Sequence, residues 1–343
     1  MSLTELIIGG LIPLPLKILL CLFISMIVGF KLINSLLVYF SQSKTIQDVR
    51  EDTPKTHQLK NGIPSMGGVS IVFGTLSSYL LLGHYHDLEM LSVLTCFMLF
   101  ALIGGYYDWF KWVSKEGITA RLKFSLQLFS SALFVFYFYV CGHDGVLIPG
   151  INCVWYLGYL MIPWSMFVVV GSSNAYNLTD GLDGLAISIG ILIMFSIGAY
   201  AFLAPSLDIK LLDSIQPLYR ENVLIVLSSV IGSSLSFYWF NAHPAKIFMG
   251  DVGSLSLGAL FACLSISIHM ELFFAIASLV IICETLSVII QVFSFKFRKK
   301  RIFLMSPIHH HFELLGWKET SITARFWIVA LISSLVSITL LVL

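Results

Sequence analysis

LPLKILLCLFISMIVGFKLINSLLVYF, residues 14–40, decides the class of fold. A helix that crosses a bilayer needs about 20 mostly apolar residues. This stretch exceeds that length with only Lys17 and Lys31 charged. It has no basic start and is too long for the apolar region of a signal peptide. It reads as a retained helix whose lysines snorkel or face protein. Similar runs follow at roughly 64–83, 88–106, 122–140, 155–172, 184–204, 222–240, 252–269, 271–295 and 323–343, which makes ten expected spans. The whole chain agrees: 57% of its 343 residues are hydrophobic, 11% are charged, and mean hydropathy is +0.91. A soluble domain carries about 25% charged residues. A soluble enzyme, a disordered chain and a small disulfide scaffold are therefore excluded. The runs stay apolar over helical lengths without alternating, which excludes a β-barrel. The expectation is an all-α polytopic membrane protein forming one integral-membrane domain over residues 1–343.

The formal net charge is +1, which predicts no nucleic-acid partner. The placement of the charges says more. Lys44, Arg50, Lys55 and Lys60 fall in one loop, and Lys111, Lys115, Arg121 and Lys123 in another. Lys246 falls in a third, and Lys296, Arg298, Lys299, Lys300, Arg301, Lys318 and Arg325 in the last of the set. These alternate loops lie on one side, and the opposite loops hold only Lys210 and Arg220. Basic loops stay cytoplasmic, so an even number of spans puts both termini outside. Cys21, Cys96, Cys263 and Cys283 read as small buried hydrophobes. Cys141 and Cys153 flank an external loop, where a disulfide stays open.

Acidic groups at span ends are costly and ask for a reason. Asp108, Asp180, Asp183 and Asp251 all fall on the expected cytoplasmic face, with His309, His310 and His311. In Asn177-Leu-Thr-Asp180-Gly-Leu-Asp183-Gly184 the two carboxylates share a face if the segment is helical. Thr179 or Asp180 can cap the next helix, and an Asx turn accounts for the segment equally well. Asp251, between Gly250 and Gly253, is the best single oxygen ligand for Mg²⁺. An N-cap with glycine packing is the competing reading. Ser306-Pro307-Ile-His309-His310-His311-Phe312-Glu313 is the third polar segment. Adjacent histidines on a helix do not converge on one ion, and phosphate recognition fits them better. The basic run 296–301 serves equally as an anchor on anionic lipid heads. Tyr107-Asp108-Trp109-Phe110-Lys111 ends a span with a charged pair, and residues 60–68 are glycine-rich without the context of a P-loop.

Residues 177–186, 248–255 and 306–313, with the loop 62–68, together resemble the polyprenyl-phosphate N-acetylhexosamine-1-phosphate transferases. SPIHHHFE resembles in particular the bacterial branch, the phospho-N-acetylmuramoyl-pentapeptide transferases. The likeness implies ten spans, a bacterial cytoplasmic (inner) membrane location and Mg²⁺. It implies transfer from UDP-N-acetylmuramoyl-pentapeptide to undecaprenyl phosphate, giving lipid I and UMP, the first membrane step of peptidoglycan synthesis. By motif, Asp251 matches the Mg²⁺ ligand, and Asp180 and Asp183 match pocket aspartates beside Asn177. Asn241 and Phe248 match the uridine site, Lys60 and Gln291 the pocket, and the three histidines a loop closing over phosphates and sugar. Asp108 and Lys111 match part of an Asp-Asp-x-x-Lys motif, whose first Asp is Tyr107 here. A phenol, with an ordinary pKa of about 10, is a neutral donor at pH 7 and a poor substitute for a carboxylate. Asp108 is therefore the expected base. A covalent route through Asp183, a sibling transferring GlcNAc-1-phosphate, an ion-coupled transporter, a scaffold for other cell-wall enzymes, and a homodimer stay open at this point.

Overall fold

The computed structural model describes residues 12–43, 62–114, 117–151, 153–207, 210–213 and 215–343. Lys60 lies outside the described residues. In chain order the helices are α1 (Leu14–Ser43), α2 (Gly68–Leu82), α3 (Leu88–Ser114), α4 (Ala120–Val140), α5 (Met161–Thr179), α6 (Leu185–Leu203), the short α7 (Lys210–Asp213), α8 (Pro217–Asn241), α9 (Gly250–Ser267), α10 (Glu271–Ala277), α11 (Leu279–Arg298), α12 (Ile308–Leu314) and α13 (Glu319–Val342). Eight of them are long and apolar enough to cross a membrane. The other two expected spans fall on α2, a shorter apolar helix, and on α5. The protein is an all-α polytopic membrane protein.

Two expectations shift. The fifth span begins at Met161 rather than near 155, because β1 (Gly145–Ile148) and β2 (Cys153–Tyr156) pair as an antiparallel hairpin, Gly145 opposite Tyr156. Trp155 and Tyr156 suit a strand, and Pro163 sits in the first turn of α5, where a missing N–H costs nothing. The run 271–295 is two helices that meet at Ser278. Composition reads it as continuous; packing of Phe273 and Phe274 into the core fixes α10, while α11 turns Ile289, Ile290, Phe293 and Phe297 outward. Cys141 and Cys153 are free, exposed thiols.

The core centres on α9, which is buried from Val252 through Ser267. It packs against α3, α5, α2 and α6. Gly68 of α2 lies against the Gly253 backbone with no room for a side chain, the close approach that small residues allow between membrane helices. Serines add bonds between helices: Ser173 Oγ donates to Leu255 O at 2.9 Å and Ser172 Oγ to Gly258 O at 2.8 Å. Lys17 is buried and donates to Glu221 at 2.6 Å, so it faces protein, whereas Lys31 is exposed.

Candidate active site

The N-terminus of α9 gathers side chains from three other helices. Gly250, at φ +74, makes the turn into α9, and a Cβ there would collide with the Asp108 carboxylate. Asp108, near the end of α3, fills that space. Its Oδ2 accepts from Val252 N–H at 3.1 Å, so a carboxylate satisfies an orphan donor of the first turn and meets the positive end of the helix. Asn177, in the last turn of α5, donates Nδ2 to Asp251 Oδ1 at 3.0 Å and to Ser254 Oγ at 2.7 Å. Lys123 of α4 donates to Asp251 Oδ2 at 2.5 Å. The Lys123 ammonium also stands 4.7 Å from the centre of the Tyr107 ring. The structure thus brings together Asp108, Asn177, Asp251 and Lys123.

Asp180 follows α5 directly. Burial, then the charges of Asp251 and Asp108, push its carboxyl up to about 7. Like charges within reach of one another resist joint ionisation.

Asp183 goes elsewhere. Residues 180–184 form a turn, with Gly184 at φ +73 as the N-cap of α6, so the two aspartates do not share a helical face. Neither Thr179 nor Asp180 caps α6; Asn241 Oδ1 instead accepts from Gly184 N–H at 3.1 Å. Asp183 is buried, and its Oδ2 accepts from Ala245 N–H at 3.1 Å and lies 3.0 Å from His243 Nδ1. Glu319 Oε1 accepts from Asp183 N–H at 2.6 Å. Asp183, His243 and Glu319 each offer a ligand atom, all within 4.8 Å of one another, and could hold a metal ion.

The remaining expected residues line two loops. Asn241 Nδ2 donates to Ile247 O at 2.9 Å, so both ends of its amide hold the 241–247 loop against the 180–184 turn. Phe248 N–H donates to Pro64 O, and Phe248 O accepts from Gly67 N–H, each at 2.8 Å. The glycine-rich loop and the entry to α9 are therefore laced together through backbone, with the Phe248 ring half-buried. Lys111 is exposed.

The three histidines diverge on α12. His309 is buried with Nδ1 3.1 Å from Glu284 Oε1. His310 Nδ1 lies 2.7 Å from Glu313, and His311 Nδ1 accepts from Leu304 N–H at 3.2 Å. His309 alone turns inward, against Gly181. Gln291 holds the neighbouring loop, accepting from Ile302 and Phe303 N–H and donating to Phe303 O. With Lys296, Lys299 and Arg301 it lines an open cavity of about 530 Å³.

Four residues were not singled out in the sequence as part of a site. Lys123 was counted only among the loop cations. Glu284 carried a usable signal, a lone carboxylate in an apolar run. His243 and Glu319 lie far apart in sequence and carried none.

Residues 90–269 match Glycosyl transferase family 4. Fold and match together define a membrane-embedded glycosyl transferase of that family, and hence an enzyme of the phosphotransferase kind. A phospho-N-acetylmuramoyl-pentapeptide-transferase of Francisella philomiragia is 41% identical over 304 residues, covering 85% of this chain and 83% of its own. The protein of that name in Psychrobacter cryohalolentis is 40% identical over 310 residues, with 83% and 82% covered. That of Francisella tularensis is 38% identical over 326 residues, with 92% and 89% covered. The chain belongs to the phospho-N-acetylmuramoyl-pentapeptide-transferase family.

Proposed function

We propose that this protein, as one integral-membrane domain in the bacterial inner membrane, transfers phospho-N-acetylmuramoyl-pentapeptide from UDP to undecaprenyl phosphate, yielding lipid I and UMP. The observation that carries the reading is the convergence of Asp108, Asn177, Asp251 and Lys123 at the mouth of α9, with Asp180 near enough to feel the charges of Asp251 and Asp108. A site of that kind suits a diphosphate brought to a lipid phosphate, and the relatives' name specifies the transferred group.

The donors fit Mg²⁺. Asp251 and Asp180 offer carboxylate oxygens, the ligand type that Mg²⁺ prefers. The crowding that raises the Asp180 pKa is relieved by a divalent cation. Asp251 is the proposed ligand. Bound there, the ion supplies Lewis-acid stabilisation of charge on the diphosphate oxygens. The Asp183, His243 and Glu319 group mixes one nitrogen with two carboxylates and is a less suitable Mg²⁺ site.

The chain's own residues do the rest. An oxygen of the lipid phosphate attacks the sugar-bearing β-phosphorus, and the bond from that phosphorus to the bridging oxygen breaks. The oxygen and its electron pair leave with UMP. Any proton on the attacking phosphate goes to Asp108. Lys123, once released from Asp251, and the histidines of α12 neutralise phosphate charge. Phe248 stacks on the uracil, and Asn241 supports that pocket by holding its loop. Lys60, Lys111 and Gln291 complete the substrate surface. Asp183 is already committed to Ala245 N–H and His243, which favours direct displacement over a covalent intermediate on that residue.

Purified protein in detergent, given UDP-N-acetylmuramoyl-pentapeptide and undecaprenyl phosphate, should release UMP and form lipid I, and EDTA should stop both. UMP release from UDP-GlcNAc instead would point to the sibling reaction. Solute uptake without UMP release would make the protein a transporter.

A further inference from the structure

Glu284 is an acid at full burial in α11, a helix whose other acidic or basic side chains all lie in its last turn. An isolated carboxylate at that depth is costly unless something answers it. The group facing it is His309, also fully buried, with Nδ1 3.1 Å from Glu284 Oε1. The His309 backbone N–H points to the second carboxylate oxygen at 3.5 Å. One carboxylate thus lies against both the ring and the backbone of the residue that opens the histidine run.

The other end of the ring is enclosed as well. Like His309 Nδ1 and Glu284 Oε1, His309 Nε2 is buried without a hydrogen-bond partner. It is pressed against Gly181, where a Cβ would overlap it, so only glycine lets the ring reach the turn between Asp180 and Asp183. Nδ1 faces the carboxylate and Nε2 faces that turn, so the ring spans the space between Glu284 and Gly181. His310 and His311 are turned to Glu313 and to Leu304 N–H and do not share this arrangement.

We propose that Glu284 is a positioning residue of the transfer site: from behind His309 it fixes the imidazole against Gly181, and the ring in turn holds the turn that carries Asp180 and Asp183. The proposal rests on the transferase reading and adds the group that orients its histidine. Glu284 touches no substrate, so its loss changes turnover while leaving nucleotide affinity alone.

The test compares full-length wild type, Glu284→Gln and Glu284→Leu, measuring kcat and KM for the UDP-sugar together with thermal unfolding in detergent. Glu284→Gln keeps a polar oxygen beside Nδ1; Glu284→Leu keeps volume only. The expected result is a kcat at least about tenfold lower in Glu284→Leu, KM within about twofold of wild type, and most of the loss restored in Glu284→Gln. A merely structural role would lower the unfolding temperature or the yield without this split. If Glu284→Leu does not fold, Glu284→Asp, which draws the carboxylate back by one methylene, takes its place with the same expectation. A kcat within about twofold of wild type in the Leu or Asp variant overturns the proposal, and so does a loss in Glu284→Leu that Glu284→Gln fails to restore. An inactive wild type would instead strike at the transferase reading itself.

Discussion

Lys123 and Asp251, on different helices, form an ion pair with Nζ 2.5 Å from Oδ2 at the mouth of α9. Both side chains are mostly enclosed, so the pair is less screened than one at the surface. The ammonium occupies one carboxylate oxygen of the proposed metal ligand. Lys123→Met should therefore lower UMP release by at least about tenfold, since a phosphate-neutralising charge is lost. It should also reduce the Mg²⁺ concentration needed to raise the unfolding temperature. A variant that needs more Mg²⁺ would show that Lys123 assists the ion and does not compete with it.

The cap that Asp108 makes and the base role proposed for it are separable. As the cap on Val252 N–H it stabilises the start of α9, and Asp108→Ala should cost about 1 kcal/mol of stability. Asp108→Asn keeps an oxygen for that bond but removes the base. Its unfolding temperature should stay near wild type while turnover falls by about a hundredfold. Full turnover in Asp108→Asn would remove Asp108 from the proton path.

Tyr107 offers its ring face to Lys123 and packs against Gly117. Tyr107→Phe keeps the ring and should stay within about twofold of wild-type activity. Tyr107→Ala removes a cation–π contact of about 1 kcal/mol and should cost roughly fivefold. With Asp108 already present as an acid, Tyr107→Asp should bring no large gain in UMP release. A large gain would make the second carboxylate a requirement of the reaction.

The opposite end of the molecule carries a pH dependence. His269, just beyond α9, is buried and stacked on His143, ring centres 4.7 Å apart, with Nδ1 2.9 Å from Gly145 O. Burial, then the neighbouring His143, lowers its pKa to about 4. Between about 4 and the ordinary value near 6.5 the unfolded chain binds the extra proton, so acid favours unfolding. The stabilisation is complete above pH 6.5 and is lost as pH falls toward 4, at most about 3 kcal/mol. Thermal unfolding between pH 7 and pH 5 should show the fall. His269→Asn, which tolerates the local φ of +58, should flatten it. An unchanged slope in that variant would place the acid sensitivity elsewhere.

The sequence by itself determined the membrane class, the order of the helices and the polar segments at the span ends that the fold brings to the mouth of α9. It could do so because burial in lipid demands long apolar runs, and because polar residues at span ends stand out against them. Asp108, Asn177 and Asp251 were legible for that reason. Tertiary structure alone decided that Asp180 lies within reach of the Asp251 charge while Asp183 turns to His243 and Glu319. It also decided that Lys123 occupies Asp251, and that His309 is the histidine held inward by Glu284. A left-handed Gly184 breaks the helical face that spacing had implied, and each of these pairings joins residues distant in the chain. Local pattern fixes where a helix begins and ends; the rotation and approach of one helix against another follow from packing across the whole core.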